Sequence, residues 1–424
     1  MTKQEAAIQY ITENYLHFNT LRHDVVSDKL QVRCAHSLGD EEMRLLGERQ
    51  EYWREMTKHD INSIVCHCAQ EYNANITSRE VMTALQSDLI PDVHPLREYI
   101  LSLRPYTPDQ PDWIDLIARQ VKVKPLGDEA KGDKARGEGL WRVCFKKWFV
   151  AMVASWLYDE VVNHQVLVLI GKQGIYKTTW LERLIPPELR DYSCKMANAT
   201  DLNKDERLRI AEFGLISLDE IDSMNTRELN QLKSIITASD INERAAYAYS
   251  KERKMRLASF CASGNRREFL SDMTGNRRWL PFEVESIQNP FFTTLPYKQM
   301  YAQAVYLIEH DFNYWFDIEE IEVMEKHNEE FRDECSEEQL LPILFDTPAE
   351  GRGDFLTTAQ ISEKLVSYGN IKKPMALNRL GMVLAQHGYQ SVRPRIGGVK
   401  TRGWLVYQRQ TNEIDMLKRM LKEK

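Results

Sequence analysis

The sequence predicts an α/β protein whose core is a largely parallel β-sheet, and three short apolar runs carry this prediction. The runs are QVLVLI (165–170), FGLISLDE (213–220) and RLASFCASGN (256–265). Each contains β-branched or aromatic residues and leads into polar ones, as buried parallel strands do when they present functional groups at their carboxyl ends. A strongly apolar stretch from Leu140 to Val161 has the length of a helix and precedes the first run. We therefore expect helices to flank the sheet.

Composition and periodicity divide the 424 residues into five segments. We expect an N-terminal α+β and mainly helical region (1–123), an exposed loop rich in glycine and charge (124–139), the α/β core (140–310), an acidic helical linker (311–350) and a C-terminal module (351–424). In the C-terminal module two helical stretches precede a hairpin with a glycine turn, which is the order of a winged helix-turn-helix.

The bulk properties argue against a globally basic nucleic-acid-binding protein, a zinc-ribbon protein and a membrane protein. The net charge of −7 gives no global basic field, so any nucleic acid must be held by local basic patches. The seven cysteines lack the paired spacings of a zinc ribbon and suit a reducing cytoplasm. Since no apolar run approaches the length of a membrane span and the N-terminus does not have the order of a signal peptide, we expect a cytoplasmic protein without a membrane partner.

The first apolar run leads into a glycine loop, IGKQGIYKTTWLERL (170–184). Gly171, Lys177 and Thr178 have the spacing GxxxxxK[ST] between a strand and a helix, which is typical of a loop whose backbone N–H groups hold nucleotide phosphates. Lys177 would neutralise phosphate charge, and the Thr178 hydroxyl would bind Mg²⁺. Tyr176 stands where such loops usually have glycine, a departure that can slow turnover. The residues predicted to contact ATP are Gly171, Lys172, Gln173, Gly174, Ile175, Tyr176, Lys177, Thr178 and Thr179.

The second and third apolar runs end in groups suited to the same chemistry. Asp219 and Glu220 follow one run, where Asp219 would order Mg²⁺ and Glu220 would orient or deprotonate the attacking water. Asp222 is expected only to cap the next helix. Asn265 follows the other run, and its spacing fits a turn former and a γ-phosphate sensor equally well.

Four motifs together resemble the virulence-associated protein E family over about residues 90–285. They are HPLREYILSL, IGKQGIYKTTWLERL, ISLDEIDSMN and CASGNRREFLSDMTGNRRWLPFEV. Members of that family are ATPases of phages, plasmids and genomic islands, similar to the ATPase half of primase–helicases and to superfamily III helicases. The resemblance implies a P-loop NTPase fold of the AAA+/superfamily III type that works as a ring, with a hexamer expected. It also implies catalytic roles for Lys177, Glu220, Asn265 and one of Arg277 or Arg278.

Two basic regions are candidate DNA contacts. The stretch RAAYAYSKERKMR (244–256) predicts a hairpin whose tip carries Lys251, Arg253 and Lys254, and such a hairpin enters the pore of related ring helicases, where it can grip a single strand. A solvated surface hairpin is the alternative. In the C-terminal module the predicted wing is flanked by basic residues that would contact duplex phosphates, unless the wing only docks protein. These wing residues are Arg393, Arg395, Lys400 and Arg402.

The sequence therefore predicts a DNA-dependent ATPase, a ring-forming helicase in the replication or mobilisation of a mobile element, with ATP and Mg²⁺ as cofactors. Arg277 and Arg278 would reach the γ-phosphate of a neighbouring subunit. No strand-borne Asp-x-Asp motif is evident in residues 1–130, so any primase would be a separate partner. The alternative is a nucleotide-regulated DNA-binding initiator or switch that does not unwind DNA because Tyr176 keeps turnover negligible.

Overall fold

The computed structural model describes residues 2–35, 51–72, 75–125, 134–196, 210–243, 252–270, 276–332, 335–348, 353–372 and 374–422. The chain forms two compact units, Met1–Phe331 and Arg332–Lys424. Their boundary falls inside the segment 311–350 that the sequence marks as an acidic linker.

The first unit contains ten α-helices and twelve strands among the described residues. The helices are α1 (Lys3–Ile11), α2 (Lys58–Tyr72), α3 (Ser78–Leu85), α4 (Pro95–Leu101), α5 (Trp113–Ala118), α6 (Lys134–Leu157), α7 (Lys177–Glu182), α8 (Thr226–Thr237), α9 (Tyr297–Glu309) and α10 (Ile318–Asn328). The strands are β1 (Leu21–Asp24), β2 (Lys29–Ala35), β3 (Glu51–Glu55), β4 (Asp92–Val93), β5 (Val121–Val123), β6 (Val166–Ile170), β7 (Ser193–Met196), β8 (Leu215–Leu218), β9 (Asp240–Glu243), β10 (Glu252–Met255), β11 (Ser259–Gly264) and β12 (Trp279–Ile287).

A six-stranded sheet with the order β5-β12-β6-β11-β8-β7 forms the centre of the first unit. The five strands from β12 to β7 are parallel, and only the edge strand β5 is antiparallel to its neighbour. This confirms the predicted mixed α/β core with a largely parallel sheet. The strands of the second and third apolar runs, β8 and β11, are adjacent, and β11 separates β8 from β6.

Both faces of this sheet are buried, and its strands therefore consist of continuous apolar runs in the sequence. All five residues of β6 are buried. Leu167 and Leu169 pack in the cluster that contains the tryptophans of α6, while Val166, Val168 and Ile170 pack in the cluster that contains the apolar face of α8. The alternation follows from the two-residue period of a strand.

Helix α6 is the main support of one face of the sheet. Its Trp148 and Trp156 are fully buried, and their indole N–H groups donate to the carbonyl oxygens of Phe260 (3.1 Å) and Gly214 (3.2 Å). The predicted exposed loop ends too late, because the helix already begins at Lys134 rather than after residue 139. Extending a helix that is already anchored costs little, so the glycines there do not interrupt it.

Within the described residues, no helix combines the length and apolar character that a membrane crossing requires.

The N-terminal part of the first unit contains more strand than the mainly helical region that the sequence predicts. Strands β3-β2-β1-β4 form a sheet on which α1, α2 and α3 pack through a small apolar core. Buried polar groups connect this sheet to the central part of the unit. The Tyr192 hydroxyl donates to Asp24 (2.8 Å) and accepts from the side-chain amide of Gln31 (3.0 Å).

The second unit is a small α+β structure built around one central strand. Its helices are α11 (Ser336–Leu344), α12 (Thr358–Gly369), α13 (Leu377–Gln386) and α14 (Thr411–Lys422). Its strands are β13 (Phe345–Asp346), β14 (Asp354–Leu356), β15 (Gln390–Val392), β16 (Arg395–Ile396), β17 (Val399–Lys400) and β18 (Gly403–Gln408). Strand β18 pairs with β13, β14 and β15, and β16 and β17 form a separate hairpin that turns at Gly397 and Gly398.

The contact between Gly214 and the Trp156 ring provides a test of this packing. A methyl group at Gly214 would lie 2.9 Å from a carbon of the rigid indole, so Gly214→Ala should lower the free energy of unfolding by about 1–3 kcal/mol. The matched control is Gly139→Ala in α6, where a methyl group meets nothing within 4 Å and should stabilise by up to ~1 kcal/mol. Urea unfolding measures both changes. Equal midpoints for the two variants would contradict the packing described here.

Candidate functional site

The glycine loop, residues 171–176, connects the carboxyl end of β6 to α7. A Cβ at Gly171 would lie 2.9 Å from the carbonyl oxygen of Val284, so the close approach of β12 requires glycine there. Gly174 has a left-handed backbone with φ 84°, which glycine adopts without steric cost. Tyr176 also has a left-handed backbone, with φ 70°, and Ile175 turns inward and packs against the apolar core.

Lys177 lies at the centre of the glycine loop and is only 6% exposed. Its Nζ donates to the carbonyl oxygens of Gly171 (2.8 Å) and Lys172 (2.7 Å) and to Oδ1 of Asn265 (3.3 Å). Burial lowers the pKa of Lys177, although Asp222 and Asp219 partly oppose that change. A buried ammonium group held by neutral oxygens is well prepared to accept an anion in their place.

Three oxygen-bearing side chains meet beside the glycine loop, one from each of three adjacent elements. The Thr178 hydroxyl lies 2.8 Å from the Ser263 hydroxyl and 3.3 Å from Asp219 Oδ1. Ser263 also donates to Asp219 Oδ1 at 2.8 Å. Thr178 is the second residue of α7, Ser263 lies in β11 and Asp219 follows β8, so the parallel sheet brings the three together. Carboxylate and hydroxyl oxygens are the protein ligands that suit Mg²⁺, so this group fits the predicted metal.

Lys195 of β7 also contacts Asp219. The sequence motifs do not predict a role for Lys195. Its Nζ lies 2.9 Å from Asp219 Oδ2 and 3.6 Å from Glu182. The hydrogen bond to Asp219 raises the pKa of Lys195. Burial tends to raise the pKa of Asp219, but the hydrogen bonds from Lys195 and Ser263 outweigh it, and the net pKa is lowered. Asp219 is thus held as a carboxylate with one oxygen already paired to a cation.

Asp222 anchors the turn after β11 instead of capping a helix. Its Oδ1 accepts from the backbone N–H of Asn265 and its Oδ2 from that of Arg266, both at 3.1 Å. A Cβ at Gly264 would lie 2.8 Å from Asp222 Oδ1, so this contact requires glycine at the end of β11. The expectation that Asp222 caps the next helix is wrong, because the Asn225 side chain accepts from the first turn of α8. Asp222 therefore positions Asn265 opposite Lys177.

Two residues of this region have an unusual backbone. Six non-glycine residues of the described chain have positive φ, and four are Asn or Asp, which tolerate that region. The other two are Tyr176 and Glu220, with φ 70° and 51°. A left-handed backbone costs such residues roughly 1–2 kcal/mol. Strain of this kind is typical of functional sites, and both residues line the same cleft.

The cleft has a volume of about 310 Å³ and collects most of the predicted nucleotide and metal residues. Its lining consists of Gln173, Gly174, Tyr176, Lys177, Thr178, Thr179, Asp219, Glu220, Ser263, Gly264 and Asn265. Lys172 faces solvent and contributes its carbonyl oxygen. Glu220 is exposed at the cleft, directly after the buried strand β8.

Arg277 and Arg278 lie at the amino ends of the parallel strands, opposite the carboxyl ends that carry the cleft. They immediately precede β12, whose Trp279 pairs with Val166 at the start of β6. The glycine loop leaves the far end of β6, about 16 Å away along the strand. This distance is well beyond the reach of an arginine side chain, so neither residue can contact the cleft of its own chain.

The predicted DNA contacts are described only in part. Strands β9 and β10 pair antiparallel, with Glu252 opposite Glu243. Strand β10 lies within the stretch 244–256, whereas β9 directly precedes it. Arg253 and Lys254 lie within β10 instead of at a tip, and Lys251 lies outside the described residues. In the second unit the four predicted wing residues are all exposed on or beside the β16–β17 hairpin: Arg393, Arg395, Lys400 and Arg402.

The central part of the chain matches a known protein family. Residues 134–333 match the family model described as the virulence-associated protein E-like domain, which confirms the resemblance predicted from the motifs. The solved structures similar to this chain include the apo structure of the NrS-1 C-terminal region, with 11% identity and a TM-score of 0.46 over 95% of this chain and 99% of that one. An A-form apo structure of the same region gives 11% identity and a TM-score of 0.45, with coverages of 96% and 99%. A search of curated proteins found no match.

The pairing of Lys195 with Asp219 leads to a prediction about metal affinity. If the cleft hydrolyses ATP with Mg²⁺, as the sequence predicts, Lys195→Met should lower the Mg²⁺ concentration at half-maximal hydrolysis, because the ammonium group no longer competes for the Asp219 carboxylate. The pair is partly exposed and worth up to ~1 kcal/mol, so we expect a change of about two- to fivefold. Phosphate release at fixed ATP measures it, with the exposed Lys122→Met as control. A higher Mg²⁺ requirement in Lys195→Met would mean that Lys195 helps to build the site.

Proposed function

Since residues 134–333 form a virulence-associated protein E-like domain, we propose that this chain is a DNA-dependent ATPase that works as a ring-forming helicase in the replication or mobilisation of a mobile element. The observation that carries the proposal is the convergence of Lys177, Thr178, Asp219 and Asn265 on one cleft at the carboxyl edge of a parallel sheet. This edge is where ligands of α/β sheets bind.

In this proposal the glycine loop binds the triphosphate of ATP. The phosphate oxygens replace the carbonyl oxygens of Gly171 and Lys172 as acceptors of the Lys177 ammonium, so a neutral contact becomes a charge-assisted one. The burial of Lys177 strengthens that contact, because water screens it less.

Thr178 and Asp219 would hold Mg²⁺, and Ser263 fixes the orientation of both. When bound, the ion neutralises charge on the β- and γ-phosphates. Glu220 is exposed beside Asp219, and in this proposal it accepts a proton from the attacking water. Asn265 contacts Lys177 and would thereby couple the turn after β11 to the γ-phosphate of bound ATP.

The position of the arginines supports assembly of several subunits. Arg277 and Arg278 are too far from their own cleft, so they can stabilise charge on a γ-phosphate only in a neighbouring subunit. A head-to-tail contact of this kind closes into a ring when the rotation between subunits allows it.

The DNA contacts proposed for the second unit rest on its exposed basic hairpin. Arg395 and Lys400 are paired across β16 and β17, and Arg393 and Arg402 flank these strands, so four cations lie close together. Such a patch neutralises several phosphates and gives strongly salt-dependent binding. We interpret the unit as a winged helix that binds duplex DNA.

The left-handed Tyr176 favours the second candidate, a nucleotide-regulated switch with negligible turnover. A forked-duplex assay with ATP separates the two candidates, because only the helicase releases the displaced strand. Under the switch hypothesis, ATP changes DNA affinity and no strand is released.

Replacement of Lys177 tests nucleotide binding directly. Lys177→Ala should weaken ATP binding and lower the turnover number for hydrolysis at least about 100-fold, because the phosphates lose their main counter-charge. Calorimetry and phosphate release measure the two effects. Lys326→Ala, an exposed lysine of α10, is the control for loss of charge alone. Unchanged turnover in purified Lys177→Ala would contradict the assignment of the glycine loop.

Replacement of Glu220 separates chemistry from binding. Glu220→Gln should bind ATP as the unmodified protein does and hydrolyse it at least about 100-fold more slowly, because only the proton acceptor is lost. Both quantities are measured on the same preparation. Loss of ATP affinity in this variant would instead assign Glu220 a structural role.

The arginines predict complementation between two inactive variants. The double variant Arg277→Ala, Arg278→Ala should bind ATP but not hydrolyse it, and mixing it with Lys177→Ala should restore part of the activity. In mixed rings an intact glycine loop then faces intact arginines of its neighbour. Phosphate release from the mixture measures the recovery. If subunits demonstrably exchange and the mixture stays inactive, the arginines do not act between subunits.

A further inference from the structure

Three aromatic side chains remain in solvent beside the glycine loop. Phe291 and Phe292, in the segment between β12 and α9, are 76% and 88% exposed, and Tyr176 is 37% exposed. The two phenylalanine rings keep most of their surface in water, which is unfavourable unless a ligand covers them. The role proposed above for the glycine loop does not use these rings.

The segment that carries the two phenylalanines is held in a defined conformation. The side chain of Asn289 accepts from the backbone N–H of Phe291 (3.0 Å), and its carbonyl oxygen accepts from that of Phe292 (3.1 Å). Arg183 directly follows α7, and its guanidinium donates to the carbonyl oxygens of Pro290 and of Thr293, the latter at 2.7 Å. The rings are therefore presented by an anchored turn that is tied to the helix following the glycine loop.

Tyr176 and Phe291 form an aromatic corner. Their ring centroids are 6.2 Å apart, and the ring planes meet at 81°. Tyr176 immediately precedes Lys177 and lines the cleft that contains the Lys177 ammonium. Its backbone is left-handed, and its ring lies at the rim of the cleft in contact with the Phe291 ring.

We propose that Tyr176 and Phe291 bind the purine base of the nucleotide, so that Tyr176 is a recognition residue for ATP. This inference rests on the proposed function, since the triphosphate must occupy the glycine loop for the base to reach the corner. The base of a nucleotide bound there has to leave the cleft at its rim, and the corner offers it an aromatic face next to the phosphate site. Stacking on a ring suits any base and favours the larger purine surface.

Stacking predicts a specific pattern of affinities. ATP and GTP should bind with similar strength and more tightly than inorganic tripolyphosphate, which has the charge but no base. Removal of the Phe291 ring should weaken ATP binding by about tenfold and leave tripolyphosphate binding unchanged. Phe291→Tyr should keep the affinity for ATP, because the ring remains.

The experiment is titration calorimetry of the full chain with Mg²⁺ plus either ATP or tripolyphosphate. It compares the unmodified protein, Phe291→Ala, Phe291→Tyr and Lys177→Ala. Phe18→Ala is the matched control, since it removes another exposed phenyl group, one that precedes β1. Because Phe291 is 76% exposed, its replacement should leave folding intact, which thermal unfolding checks.

The outcomes separate the two proposals. Selective loss of ATP affinity in Phe291→Ala supports the aromatic base site. Equal affinities of Phe291→Ala and the unmodified protein for ATP overturn it while the glycine loop assignment stands. Loss of single-stranded oligonucleotide binding in Phe291→Ala with unchanged ATP affinity also overturns it, because the corner then contacts DNA bases. If the unmodified protein binds neither ATP nor tripolyphosphate, the proposed function fails and the base site with it.

Discussion

The candidate site depends on the parallel pairing of three adjacent strands, β6, β11 and β8. Their register places Ile170 beside Gly264 and Ala262 beside Leu218, so all three carboxyl ends meet at one edge of the sheet. The glycine loop, Asn265 and Asp219 each follow one of these ends. Had any of the strands been antiparallel, its polar end would lie on the far side of the sheet. Buried apolar packing against α6 and α8 fixes the register, because a slip by one residue would move every side chain to the other face.

The electrostatics of the cleft are a second constraint, and they follow from burial. Lys177 carries its charge in a place that water scarcely reaches, and Asp219 is paired with Lys195 at one oxygen and accepts from Ser263 at the other. In this arrangement a cation and an anion line the same cleft, and each is held by partners that a ligand can replace. That is a suitable environment for a magnesium–triphosphate complex, which brings both charges with it.

Features that depend on local sequence could be predicted, and features that depend on strand order could not. The glycine loop, the three buried strands and the Asp219–Glu220 pair follow from patterns within about ten residues, and the strands and their parallel pairing are confirmed. Lys195 and Ser263 could not be recognised, because only the order β6-β11-β8-β7 brings β7 and β11 beside Asp219. The role of Asp222 could not be predicted for the same reason, since its partners, Asn265 and Arg266, lie more than 40 residues away in sequence. The sequence predicts too late a start for α6, because glycines near its beginning favour a loop.

We propose that this chain couples ATP hydrolysis to DNA binding, and DNA-dependent turnover tests this proposal most directly. The measurement is steady-state phosphate release by the unmodified chain at saturating ATP and Mg²⁺, with and without single-stranded DNA. The account predicts slow release without DNA and release several times faster with it, lost again in excess EDTA. Release at the same rate with and without DNA, or no release above the protein-free background, would contradict it.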